Sequence, residues 1–199
     1  MIRTFLALTL DNQEQEKLTK IVHKAKTYFP NIKWVELNNF HLTFLFLGDT
    51  KPQDITIIND TLKIFANKLT TINLSDYNTK ISVNNPNNPK TLWLDYTAKN
   101  ISQKKFITLK SDRDTFINNL KLKIPYIDFK NNHQFKLHIT LGRVKIDYQT
   151  PFTIPLDLTQ FYQENPIQPI LNKLSLIQST LSPIGPTYKE LNTVYLKNI

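Results

Sequence analysis

The 199-residue chain reads as an α+β protein: two pseudo-symmetric lobes of mainly antiparallel sheet, with flanking helices and a central cleft. Three observations predict this. Strand-like and helix-like segments follow in the order strand, helix, strand, and the pattern restarts halfway along the chain. Each half carries a His-x-Thr triplet inside an apolar, strand-like run, His41-Leu42-Thr43 and His138-Ile139-Thr140. No flexible linker divides the sequence, so residues 1–199 are expected to form a single bilobed domain.

Thr4 to Leu10 is the first strand. Asp11 or Asn12 can cap a helix over Glu14 to Phe29, where Leu18, Ile21, Val22, Ala25 and Phe29 recur at helical spacing. Pro30-Asn31 closes it. Lys33 to Val35 is extended, and Phe40 to Leu47 is a strand ended by Gly48-Asp49. Pro52 sits where a second helix begins, with Ile55, Ile58, Leu62, Phe65, Ala66 and Leu69 on its inner face. Ile72 to Leu74 and Lys80 to Val83 are extended, Asn84 to Pro89 is a turn, and Thr91 to Tyr96 is the next strand. Ser102 can cap a third helix running to about Leu120, with Phe106, Leu109, Phe116, Ile117 and Leu120 inward. A loop through Pro125 and Asn131-Asn132 leads to the strand Phe135 to Val144. The polar, proline-punctuated stretch Asp147 to Pro166 is expected to be irregular or to hold a short helix. Leu171 to Leu181 and Thr187 to Leu196 are the last strands, turned by Ser182 to Pro186.

Composition narrows the function. The chain has no cysteine, which excludes disulfides, thiolate zinc sites and a cysteine nucleophile. No apolar run approaches the roughly 20 residues that a membrane helix needs. Thr4 to Leu10 is too short and too alternating for a secretory leader, and Asp11-Asn12-Gln13-Glu14 follows it, so a cytoplasmic location is expected. The net charge of +9 suits a polyanion such as RNA. The same lysine excess also arises from an AT-rich genome, and composition alone does not separate the two.

In a strand, residues two apart share a face. His41 and Thr43 therefore project together, as do His138 and Thr140, with Leu42, Ile139 and their apolar neighbours behind. Two such strands facing each other would bring two imidazoles and two hydroxyls around one small ligand. Imidazoles titrating near neutrality can act as base and acid, and threonine hydroxyls can hold phosphate oxygens. That set serves phosphoryl transfer without a metal. A two-histidine metal site lacks a third ligand at suitable spacing, and no metal or organic cofactor is expected. A purely structural reading suits one His-x-Thr better than two in matching contexts. His23, on the basic helix with Lys17, Lys20 and Lys24, and His133, in the loop Asn131 to Gln134, have no matching partners and are expected at the surface.

Beyond the triplets, an ordered set of segments resembles the two-histidine (2H) phosphoesterases, and within them the bacterial and archaeal RNA 2′,3′-cyclic phosphodiesterases once called 2′-5′ RNA ligases. Arg3 to Leu8 looks like the family's opening strand, and Asn39 to Gly48 its first motif. Lys90 to Leu94 is similar to its tryptophan strand and Leu137 to Arg143 to its second motif. Ile177 to Leu181 with Gly185 to Tyr188 resembles its C-terminal hairpin. The resemblance implies a bilobed fold with both motifs on the cleft floor. It implies hydrolysis of a ribose 2′,3′-cyclic phosphate at an RNA end, or of a related nucleotide, to a 2′-phosphate. His138 would activate water, His41 would protonate the departing 3′ oxygen, and Thr43 and Thr140 would hold the non-bridging oxygens. Arg143 also stands where the family often has an arginine near the phosphate. Simple alternation from His138 turns it to the opposite face, unless the strand bends near Gly142. Two departures stand out: Leu45, where many relatives carry a basic residue, and Leu137, where relatives usually have proline. Neither touches the four core groups. A monomer is expected. Ligation through a 2′-5′ bond, a small-molecule cyclic phosphate, or a non-catalytic RNA- or nucleotide-binding module remain alternatives.

Overall fold

A computed structural model describes residues 1–129, 135–145, 151–183 and 185–198. His133 and the start of the polar stretch at Asp147 lie outside the described residues. The elements in chain order are β1 (Ile2–Thr9), α1 (Asn12–Lys26), β2 (Ile32–Trp34), β3 (His41–Thr50), α2 (Ile55–Ala66), β4 (Ile72–Asn73), β5 (Tyr77–Val83), β6 (Thr91–Ala98) and α3 (Asn100–Lys123). There follow β7 (Leu137–Val144), α4 (Leu156–Glu164), β8 (Ile170–Leu171), β9 (Lys173–Ser182) and β10 (Gly185–Tyr195). One large antiparallel sheet has the order β10-β9-β1-β3-β7-β6-β5, with β2 also paired to β7, while β4 and β8 form a separate small ladder.

Local chemistry accounts for most element ends. Asp11 caps α1 by accepting from the Glu14 N–H at 2.8 Å, and Pro52 opens the 3-10 turn that leads into α2. One helix start differs from expectation. The third helix begins earlier, with Lys99 at its cap. Ser102 lies inside it, fully buried, and its hydroxyl donates to the Asp76 carbonyl at 2.8 Å. The residues before Pro166 hold the helix α4, which docks on α1 through Lys24 and Asp157, 2.7 Å apart. His23 is exposed, as its sequence context predicts. Among the described residues no helix is long and apolar enough to cross a membrane.

The sheet has two halves, β10-β9-β1-β3 and β2-β7-β6-β5. They meet at a single ladder pair, Leu42 with Ile139, the middle residues of the two triplets. Because β3 and β7 are antiparallel, an approximate two-fold axis passes through that pair, placing His41 on the Thr140 side and Thr43 on the His138 side. A continuous core packs behind the sheet. It includes Leu6 and Leu8 of β1, Leu42 and Phe44 of β3, Leu137 and Ile139 of β7, and the inner faces of all four α-helices. In front, a small cluster of Phe5, Ala7, Ile177 and Tyr188 floors one side of a cleft.

Candidate active site

His41, Thr43, His138 and Thr140 all line a front-face cleft of about 500 Å³. Strand alternation puts each pair on one face, and β-bulges extend the arrangement. In β3, Thr43 pairs with Ala7 and Leu45 with Leu6, which leaves Phe44 as an extra residue. In β7, Thr140 pairs with Trp93 and Gly142 with Leu92, which leaves Leu141 extra. Each bulge reverses the alternation. His41, Thr43 and Phe46 therefore share the cleft, and so do His138, Thr140 and Arg143. Arg143 thus reaches the cleft side that simple alternation denies it. Gly142 is required beside this bulge. A Cβ there would lie 2.4 Å from Ile32 Cγ2 and 3.2 Å from the Lys33 carbonyl, so only glycine lets β2 approach so closely.

The two imidazoles are anchored alike. His41 Nδ1–H donates to the Asn39 carbonyl at 2.8 Å, and His138 Nδ1–H donates to the Lys136 carbonyl at 3.1 Å. A carbonyl can only accept, so Nδ1 carries the proton in each neutral ring and Nε2 is left as the basic atom. Thr43 Oγ1 donates to His41 Nε2 at 3.0 Å. Aromatic rings hold both imidazoles in place. His41 lies 5.0 Å from the Phe5 ring and meets Tyr188 edge-on at 5.4 Å. His138 packs 4.6 Å from the Trp93 ring.

Burial is the main influence on both histidines and disfavours their charged forms. It takes His41 from the ordinary 6.5 down to about 4, against the pull of the Asn39 carbonyl, with the neighbouring His138 and the positive Arg143 adding to the depression. His138 is lowered too, by burial first, while the Lys136 carbonyl and Asp95 oppose the change. Among the described residues no three His, Asp or Glu side chains are grouped as metal ligands.

Arg113, on the inner face of α3, plays a part that the sequence reading did not assign. It is 3% exposed, and its Nε–H donates to the carbonyl of Phe44, the bulged residue, at 2.8 Å. Its guanidinium also lies 4.8 Å from the centre of the Phe135 ring, just before β7. One buried cation thus braces β3 at the bulge and the approach to β7. The signal was present in the sequence: Leu109, Arg113, Phe116 and Leu120 fall at helical spacing, a cation on an otherwise apolar stripe.

The paired, similarly anchored histidines with their threonines have the arrangement expected of a two-histidine phosphoesterase site. Comparison with known proteins agrees. Residues 8–90 match the model of the LigT-like phosphoesterases. An RNA 2′,3′-cyclic phosphodiesterase of Aquifex aeolicus is 30% identical over 82% of this chain and 81% of its own length. The Archaeoglobus fulgidus RNA 2′,3′-cyclic phosphodiesterase is 25% identical over 96% and 98%. In fold, the chain matches a crystal structure of a Thermus thermophilus protein with a TM-score of 0.70, 22% identity and 99% coverage of both chains. It also matches E. coli LigT complexed with 3′-AMP, with a TM-score of 0.64, 19% identity and 98% coverage of both. The chain belongs to the LigT-like phosphoesterase family, within the 2H superfamily.

Proposed function

We propose that this phosphoesterase hydrolyses RNA 2′,3′-cyclic phosphate ends to 2′-phosphates, with His41 and His138 as its proton-transfer pair. The observation that carries the reading is the two-fold arrangement of two Nε2 atoms, each backed by an Nδ1–carbonyl hydrogen bond, on either side of one cleft. The cyclic phosphate sits between them. His138 Nε2 takes a proton from water as its oxygen attacks phosphorus. The P–O3′ bond breaks, and protonated His41 delivers its Nε2 proton to the departing O3′. The products are a free 3′-hydroxyl and a 2′-phosphate, with one water consumed. Thr43, Thr140 and Arg143 hold the non-bridging oxygens as charge builds on them.

The depressed basicity of the rings fits this scheme. A half-buried pair is neutral in the empty cleft, which suits the base. The anionic phosphate then stabilises a charged ring beside it, which supplies the acid. The curated relatives named for the activity support the substrate class. Incubating purified protein with an RNA ending in a 2′,3′-cyclic phosphate, in EDTA, tests the reading by end-group analysis. A 2′-phosphate product is expected. A 3′-phosphate product, or activity that returns only with a divalent ion, overturns it.

A further inference from the structure

A second cavity of about 370 Å³ adjoins the cleft and shares Asn39, His41 and Tyr188 with it. Those three residues are therefore a partition, and the two cavities are successive parts of one trough on the front of the sheet. A third bulge builds the far part. In the β9–β10 ladder Glu190 pairs with Ile177 and Asn192 with Leu176, which leaves Leu191 extra. Tyr188, Glu190, Thr193 and Tyr195 consequently all line the trough. The floor is fixed from below: buried Ser175 donates to Glu190 Oε2 at 3.0 Å and shares a 2.6 Å hydrogen bond with the Thr193 hydroxyl. At the far end Tyr195 is 67% exposed, with Lys173 Nζ 5.9 Å from its ring centre.

We infer that this second cavity is a subsite for the nucleotide preceding the cyclic phosphate, so that the protein grips at least two nucleotides of the RNA end. The inference rests on the proposed function. There His41 faces the departing ribose oxygen, so the ribose lies on the His41 side, and the chain leaving its 5′ oxygen runs toward the cavity that His41 borders. An exposed aromatic face for a base beside a cation for a phosphate is the arrangement single-stranded nucleic acid uses, whatever the base. The polar groups of Glu190 and Thr193 meet the edge of a base. Tyr188 and Tyr195 are separated by about 20 Å of extended strand, room for more than one nucleotide.

The test compares a nucleoside 2′,3′-cyclic phosphate with a dinucleotide ending in the same cyclic phosphate. The dinucleotide should show a kcat/KM higher by on the order of tenfold, the scale of one stacked base. Tyr195→Ala and Lys173→Gln should erase most of that advantage while leaving the mononucleotide rate within about twofold and the melting temperature unchanged. Equal kcat/KM for the two substrates, or an advantage that survives both substitutions, overturns the subsite. Hydrolysis of neither substrate overturns the phosphodiesterase reading instead. The subsite is then decided by calorimetric titration with a mononucleotide and a dinucleotide 3′-phosphate: tighter dinucleotide binding that Tyr195→Ala abolishes supports it, and equal affinities refute it.

Discussion

Holding His41 neutral should make the protein less stable in acid, and replacing it should reverse that penalty. The ring's basicity falls from the ordinary 6.5 to about 4 on folding. Above pH 6.5 it is neutral in both folded and unfolded chains and contributes nothing. As pH falls below 6.5 the unfolded chain takes up a proton that the folded chain refuses, so stability drops, and the loss is complete below about pH 4. The full penalty is about 3 kcal/mol, and about 2 kcal/mol has developed by pH 5. His41→Asn removes the titration. It also removes the ring contacts with Phe5 and Tyr188, a loss of about 1 kcal/mol at every pH. The variant should therefore be less stable than the parent by about 1 kcal/mol at pH 8 and more stable by about 1 kcal/mol at pH 5. In a chain of this size that is a crossing of about 2–4 °C on either side in thermal unfolding. Urea titrations at the two pH values provide the same comparison at one temperature. A stability difference that is identical at pH 5 and pH 8, or a variant that is weaker still in acid, would refute the reasoning.

Substitution of either catalytic candidate, His41→Ala or His138→Ala, should lower kcat on the order of 10²–10⁴-fold, with the double variant little worse than either; full additivity in single-turnover rates would contradict a coupled pair. The profile of kcat/KM against pH should be bell-shaped and centred below 6.5, because both free-enzyme histidines are depressed. The kcat profile should sit higher, since bound phosphate raises both; a shared centre above pH 7 would count against the burial argument. Arg113→Met removes the Nε donor from the Phe44 carbonyl and the contact with Phe135, for a loss of about 3 kcal/mol. Calorimetry should show melting about 6–12 °C lower, partly restored in Arg113→Lys, and an unchanged melt would remove the bracing role. Gly142→Ala should destabilise by about 1–3 kcal/mol because its Cβ overlaps Ile32, which chemical denaturation can check.

Residues that announce themselves by local chemistry were legible in the sequence. Asp11 at a helix start, Pro52 before another and the two His-x-Thr triplets each state their own requirement, and the structure brings all four triplet groups into one cleft. The bulges were not legible by alternation, because an extra residue reverses the period it is judged against. Their trace is a doubled apolar pair inside an alternating run: Phe44-Leu45 in one half and Leu141-Gly142 in the other, both pairs buried. Noticing that doubling would have moved Arg143 to the cleft face at once. The helix capped by Lys99 was misplaced for a different reason. Ser102 has a hydroxyl fit for capping, and only the tertiary contact with Asp76 shows that it is used to tie α3 to the 3-10 turn before β5.

The near-identity of the two triplets also bears on how the proposed pair would divide its work. Proton transfer in both directions needs two groups that differ, since two equal bases at rest would compete for the same role. The backbone supplies the likeness: each ring is pinned through Nδ1 by the carbonyl two residues before it, and each strand bulges just after its threonine. The difference comes from the neighbouring strands. His41 is walled by Phe5 and Tyr188 and faces the positive charge of Arg143. His138 lies against Trp93 with the Asp95 carboxylate close enough to favour its protonation. The position three after each threonine widens the gap, being Phe46 on one side and Arg143 on the other. A duplicated frame with unequal walls thus turns two copies of one motif into a non-equivalent pair, and because the walls disfavour a charged ring at His41 while Asp95 favours one at His138, the proposed acid role of His41 depends on the bound anionic phosphate to hold its proton.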